Sequence, residues 1–468
     1  MLQNLKILNL LLIGAYLLAC LLIGFISFRR RSEDNFLIAS RKVKIIPLVA
    51  TICAGFIGGG VLVTFTALAF EYGISSIWMF IGSAIGLFIF PSLVGKKLKP
   101  LADEKEFHTL SDYFYHKFGK RVGMISAVVV FIMFIALLLV QFIAGGKLLS
   151  AISGWPYIAS VLIMGTVIFL YLMLGGFSSV VKTDLFQFFV MITLIFVLIF
   201  SFNTTVKLDP IQYNIFSVGI GQIIGFSLIG LFTLFISADV WQRAYASSSK
   251  KTLKKGFYLA GIVLLIFGLA ISIVGIVAKN NFPNIDPQEA LYFGFSNLLP
   301  SWVLGLALIF IFASIMSSAD TFAFITAMNI SKDFIAGFKQ VSKKRLVKLT
   351  RISIFSLILL STFVAIFVQN IIEIVFAVVA IGLALAPAMV GSFFWNLKEK
   401  AVFYSILLGL LSAIVLIFIG YITPETSVIT LPVSLVILII GQIFFKKKKL
   451  KEEFNPLDPT NNSLTLIN

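Results

Sequence analysis

Gly55-Phe56-Ile57-Gly58-Gly59-Gly60 lies in the middle of an apolar run over 45–70. About 20 mostly apolar residues cross a bilayer core, so this run is long enough to span. Each glycine costs a helix about 1 kcal/mol relative to alanine. Four glycines in six residues therefore predict an interruption near the middle of the span. Small residues can also let helices pack closely. Alternatively, an unwound segment frees carbonyls to line a site. A second glycine-bearing run, 212–238, contains Gly219, Gly221, Gly225 and Gly230. It comes five runs later. Two interrupted helices at matching places in two halves predict an inverted-repeat transporter.

The rest of the chain fits that setting. The 468 residues are 59% hydrophobic and 12% charged, against about 25% charged in soluble proteins. Apolar runs lie at roughly 7–28, 45–70, 74–95, 122–146, 156–174, 178–201, 212–238, 256–278, 300–330, 349–369, 371–395, 401–420 and 426–445. They are too long and too continuous for barrel strands. The expectation is an all-α polytopic membrane protein with 13 transmembrane helices. Run 7–28 is too long for a signal-peptide core, and Arg29-Arg30-Arg31 follows as a stop-transfer block, so it is read as a retained helix. It is peripheral; 45–201 forms a first repeat, 212–395 a second, and 401–445 two further helices. Residues 1–445 make one transporter domain and 446–468 a cytoplasmic tail. Ala386-Pro387 predicts a kink.

The net charge of +17 has a distribution rather than a nucleic-acid partner. All Lys and Arg residues except Lys6, Lys147, Lys207 and Lys279 fall in alternate loops. The positive-inside rule then puts the N-terminus outside and the C-terminus in the cytoplasm of a multi-pass plasma-membrane protein. Anionic lipid headgroups suit the basic side. Neither a Walker A motif nor a Cys/His metal set occurs, so no cofactor is expected. An ion gradient is the natural driving force, about 2.3 kcal/mol per charge per 100 mV.

Ionisable residues inside the membrane mark function by default. Asp320 lies deep in run 300–330, within Ser314-Ile315-Met316-Ser317-Ser318-Ala319-Asp320-Thr321. Ser314, Ser317, Ser318 and Thr321 share one helical stripe, with Asp320 about 60° away from Ser317. Hydroxyls flanked by a carboxylate suit a dehydrating Na⁺. Serines can instead bond their own i−4 carbonyls. Asp184, after Gly175-Gly176-Phe177-Ser178-Ser179, suits a helix N-terminus as well as a cation. Asp239 is read as an i,i+4 partner of Arg243. His108 and His116 are read as solvated loop residues.

Several blocks resemble the sodium:solute symporter family of proline, pantothenate, sugar and sialic acid carriers. They are Ser32-Glu33-Asp34-Asn35-Phe36-Leu37-Ile38-Ala39-Ser40-Arg41 and His108-Thr109-Leu110-Ser111-Asp112-Tyr113-Phe114 with Phe118-Gly119. Next come Gly175-Gly176-Phe177-Ser178-Ser179-Val180-Val181-Lys182-Thr183-Asp184-Leu185-Phe186-Gln187 and Trp241-Gln242-Arg243-Ala244. Met316-Ser317-Ser318-Ala319-Asp320-Thr321 with Asp333-Phe334 completes the set. The resemblance implies a five-plus-five inverted-repeat core and alternating access. It implies one Na⁺ held by the carbonyls of Ala54, Ile57 and Ser314 and the hydroxyls of Ser317 and Ser318. A second cation site would use Asp184, Ser317, Asp320 and Thr321, with Asp320 replacing a serine of the family's two-sodium members. By position, Gly58, Val61, Gln141 and Thr233 would line the solute pocket.

The departures concern the solute. Phe56 and Gly60 replace an acid and an aromatic of proline carriers; Val61, Met79 and Phe80 replace polar groups of sugar carriers. Run 122–146 lacks the arginine of sialic acid carriers. The expectation is a Na⁺-coupled symporter, not an enzyme, importing a small organic solute, an amino acid or monocarboxylate. The alternatives are a proton-coupled relative or a sugar or sialic acid carrier. The expected partners are Na⁺, the solute and the bilayer, with no nucleic acid and no oligomer required. A membrane acyltransferase would need a histidine or acid constellation, a sensor would need a signalling domain, and a passive channel would not accumulate solute.

Overall fold

The computed structural model describes residues 2–28, 32–201, 211–339, 341–367 and 371–445. Helices dominate, as a bilayer demands: every backbone polar group must be satisfied internally. No strand occurs among the described residues; Val43 and Ser247 form an isolated bridge.

Along the chain, α1 is Leu2–Phe28 and α2 Glu33–Ile38. The glycine stretch divides α3 (Ile45–Phe56) from α4 (Gly59–Tyr72). A 3₁₀ turn, Gly73–Ser76, leads to α5 (Ile77–Phe90), then α6 (Lys96–Glu104) and α7 (Leu110–Phe118). Two long helices follow, α8 (Lys120–Ser153) and α9 (Tyr157–Phe200). Then come α10 (Ile220–Ile236), α11 (Ala238–Ala246), α12 (Lys250–Asn281) and α13 (Ala290–Leu298). The last part holds α14 (Ser301–Met328), α15 (Lys343–Phe367), α16 (Ile372–Leu383), α17 (Ala386–Phe394), α18 (Glu399–Phe418), α19 (Pro424–Ser427) and α20 (Thr430–Phe444).

Thirteen apolar runs do not become thirteen separate long helices. Among the described residues nine helical stretches are long and apolar enough to cross a membrane, or ten if α10 and α11 form one span. The apolar parts of α1 and α3 are shorter, Leu11–Ser27 and Ile45–Phe56. Runs 156–174 and 178–201 merge into α9, which kinks at Gly176. Gly176 has φ +56°, open to glycine at no steric cost. A Cβ there would also lie 2.6 Å from the Phe36 carbonyl oxygen. The family-like blocks around Ser32–Arg41 and Gly175–Gln187 thus meet at this kink.

The first expected break is real. Ile57 (φ −86°, ψ 66°) and Gly58 (φ −86°, ψ 169°) leave helical geometry between α3 and α4. The second differs from expectation. The 50° bend falls at Ser237, between α10 and α11, not at the glycines. Gly219 caps α10, and a Cβ on Gly221 or Gly225 would meet no described atom within 4 Å. Gly230 lets α10 approach the α5 backbone at Met79 and Ser83. Before Pro387 the helix is interrupted by a turn at Ala384 and Leu385, both with helical φ/ψ, and Glu373–Phe394 is long enough as one span. α14 packs against α3, α4, α8 and α9, so its middle faces the first break.

Candidate functional site

The broken ends of α3 present carbonyls that α14 meets with hydroxyls. Ser314 Oγ donates to Ile57 O at 2.5 Å, and Ser317 Oγ to Ala54 O at 2.9 Å and Ser314 O at 3.0 Å. Ser318 Oγ donates to Gly55 O at 3.1 Å and Ala54 O at 3.4 Å. The five groups named from sequence therefore converge, and Gly55 O joins them. All three serines are buried. Helical geometry explains the convergence: 314, 317 and 318 share a face, while the break turns the 54, 55 and 57 carbonyls away from their own helix. Hydroxyls keep free lone pairs, so rotating their hydrogens outward would turn the cluster into a cage of acceptors.

A second cluster lies beside it, and it is charged. Arg243 of α11, 1% exposed, reaches Asp239 at 2.5 Å, Asp184 at 3.5 Å, Thr321 Oγ1 at 3.0 Å and Thr51 Oγ1 at 3.0 Å. Thr51 in turn donates to Asp184. Asp320 Oδ2 accepts from Tyr171 at 3.0 Å and Thr183 at 3.1 Å. Asp184 Oδ1 and Asp320 Oδ1 are buried without hydrogen-bond partners. Asp184, Asp320 and Thr321 thus lie in one region, with a guanidinium between Asp184 and Thr321, whereas the hydrogen bonds of Ser317 run to the neutral cluster. Asp239 does pair with Arg243 as read; Arg243 itself does more, tying α3, α9, α11 and α14 together.

Of the pocket candidates, Gly58 and Gln141 come together. A Cβ on Gly58 would lie 2.5 Å from Ser318 Oγ and 3.2 Å from Gln141 Nε2. Gln141 Oε1 accepts the Gly59 N–H at 2.9 Å, taking one donor freed by the break. Val61 is partly buried on α4, and Thr233 Oγ1 is buried without a partner on α10. A cavity of about 810 Å³ opens at the end away from the basic loops, lined by Val63, Leu148, Tyr292 and Ile311 among others. At the basic end the helices are tied shut. Asp112 accepts from the His108 and Thr109 N–H groups and from Lys332 at 2.5 Å. Thr109 also donates to Asp333 at 2.9 Å.

His108 corrects the sequence reading: it is 5% exposed, with Nδ1 3.2 Å from Lys332 Nζ. Burial, with Lys332 and Arg41 nearby, holds its imidazole well below the usual histidine range. His116 is exposed, as expected, and packs on Phe107.

The profile of the sodium:solute symporter family matches residues 36–209 and 201–409. The chain belongs to this family. It is a multi-pass membrane protein and a sodium-coupled symporter. Among curated relatives, the osmoregulated proline transporter OpuE of Bacillus subtilis is 25% identical over 439 residues, 87% of this chain and 88% of that one. The sodium/pantothenate symporter of Escherichia coli is 24% identical over 366 residues, 72% and 74% of the two chains. The fold matches the substrate-bound, outward-open structure of a Na⁺-coupled sialic acid symporter, with TM-score 0.75 and 16% identity over 94% and 98% of the chains.

Sequence reasoning missed Thr51, Tyr171 and Thr183, and the reach of Arg243. Thr51 carries a usable signal: it precedes Ala54 by one helical turn, on the face that meets α14. Tyr171 and Thr183 carry none, because the kink at Gly176 brings them together.

Proposed function

We propose that this symporter binds one Na⁺ between Ala54 O, Ile57 O, Ser314 O, Ser317 Oγ and Ser318 Oγ, and carries a small organic acid or amino acid with it. The observation behind this is the convergence of those neutral oxygens across a helix break. A cation there pins α3 and α4 to α14. That orders Gly58–Gly60 and Gln141, so sodium and solute raise each other's affinity. The solute enters from the 810 Å³ cavity. Its carboxylate competes with Gln141 for the Gly59 N–H at the N-terminus of α4. Ser237 and Gly58 mark the matching breaks of two five-helix repeats, 45–201 and 212–395.

A second reading concerns Asp320. Asp184, Asp239 and Asp320 bring three carboxylates to one buried cluster with one arginine. Uncompensated charge at that depth is costly, so the cluster takes up a further cation. The unpartnered Asp320 Oδ1 favours a proton there.

The relatives carry proline and pantothenate by name; Phe56 and Gly60 argue against proline here. The test is uptake of amino acids, carboxylates and sugars into proteoliposomes under an imposed Na⁺ gradient. Concentrative uptake of a carboxylate-bearing solute only with inward Na⁺ is expected. Uptake driven equally by K⁺ or by a proton gradient alone would overturn the sodium reading.

A further inference from the structure

We propose that the cleft between α15, α9, the end of α1 and the start of α2 binds an anionic phospholipid. The cleft holds about 990 Å³. Its cationic wall comes from Lys344, Arg345, Lys348 and Arg351. Lys344, Lys348, Arg351 and Phe355 recur at i, i+4, i+7 and i+11, so they form one stripe of α15. Among the described residues none of the four cations makes an ion pair. Their neighbour Lys343 differs: Asp34 and Glu106 hold it at 3.1 and 2.9 Å. Glu33 is the one carboxylate along the cleft's described lining.

Arg351 is the clearest pointer. Its guanidinium carbon lies 5.0 Å from the centre of the Phe36 ring, and its Nε–H is buried with no acceptor. Leaving a buried donor unmatched is costly, and a charged donor more so. A phosphate oxygen supplies the missing acceptor, and the neighbouring lysines supply its counter-charge.

The apolar part of the lining settles the rest of the ligand. Phe169 and Met173 of α9 line the cleft, and Ile352 and Phe355 of α15 are 52% and 54% exposed. A free phosphate or other small anion would satisfy the cations and leave these apolar groups uncovered. An amphiphile satisfies both, with its headgroup on Lys344–Arg351 and a chain along Ile352 and Phe355. The site lies at the end of α15 that bears the basic loops, where anionic lipid is attracted. Gly175, next to the kink at Gly176, also lines the cleft, so a bound lipid touches the α9 hinge. The inference depends on the membrane setting and not on which solute is carried.

The test uses the full chain in nanodiscs of phosphatidylethanolamine with graded phosphatidylglycerol, with retained lipid counted by native mass spectrometry. Wild type should retain phosphatidylglycerol in preference to phosphatidylethanolamine. Lys344→Gln with Lys348→Gln should weaken retention about fivefold per cation removed. Lys250→Gln with Lys251→Gln, exposed at the start of α12, removes the same charge elsewhere and should change nothing. Arg351→Lys keeps the charge but removes the buried Nε–H, and should fall between wild type and the double variant. Equal losses in both double variants would overturn the proposal in favour of a diffuse surface potential. No preference for phosphatidylglycerol, or its displacement by inorganic phosphate at equal concentration, would overturn it as well.

Discussion

Two clusters join the same helices and solve the same problem differently. The serine–carbonyl cluster at the α3–α4 break holds neutral oxygens only. The Asp184–Asp239–Asp320 cluster beside it carries formal charge and its own guanidinium. A fixed arginine cannot leave, so it locks helices; a neutral cage has affinity for a small cation yet can release it. The difference assigns locking to one region and coupling to the other.

The largest effect should come from removing the fixed cation. Arg243→Gln leaves Asp184 and Asp239 buried without it, a loss of about 3–5 kcal/mol. Thermal unfolding in detergent should drop sharply and little monodisperse protein should remain. A variant as stable as wild type would break the distinction between a locking and a coupling cluster.

Next come the acids. Asp184→Asn should impair transport more than Asp239→Asn. Asp184 connects α9 to α3 and α11, whereas Asp239 pairs with Arg243 inside α11. Equal uptake rates in proteoliposomes would count against that ranking.

Ser317→Ala removes one hydroxyl from the neutral cluster and leaves the charged one intact. At about 1–2 kcal/mol for such a group, the sodium concentration for half-maximal uptake should rise roughly five- to thirtyfold. Folding stability should fall by only about 1 kcal/mol, well short of the Arg243→Gln loss.

The smallest effect concerns the tie at the basic end. His108 stays neutral in the folded protein because burial and the Lys332 and Arg41 charges depress its affinity for protons. The unfolded chain takes up that proton below about pH 6.5 and the folded one does not, so stability drops as the pH is lowered through that value. His108→Gln should flatten that acid-side fall in melting temperature. Asp112, Asp333, Lys332 and Arg41 face the same spot, so part of the slope should remain.

The contrast between the clusters also explains what the sequence discloses. Each half of the neutral site is legible because it is local: a glycine cluster breaks α3, and Ser314, Ser317 and Ser318 share one turn-spaced face; only the family resemblance joins the two halves. The lock is not legible, because its contacts are distant. Arg243 meets Thr51 and Asp184 from far along the chain, while sequence displays only its i,i+4 partner, Asp239. The second helix break was misplaced for a different reason. Glycines at 219–230 suggest interruption, yet Gly230 serves close packing against α5. The usable signal was Ser237-Ala238-Asp239, a helix start with a capping-type residue and an acid in the first turn. The polar neighbours of His108 in sequence suggest a solvated ring, whereas the Thr109–Asp112 capping box and Lys332 enclose it.

Equilibrium binding of radioactive Na⁺ to purified protein tests the division most directly. Saturable Na⁺ binding at one site per chain is expected, weakened in Ser317→Ala and still present in Asp239→Asn. Unchanged binding in Ser317→Ala, with loss in Asp239→Asn, would contradict it by putting the sodium in the charged cluster.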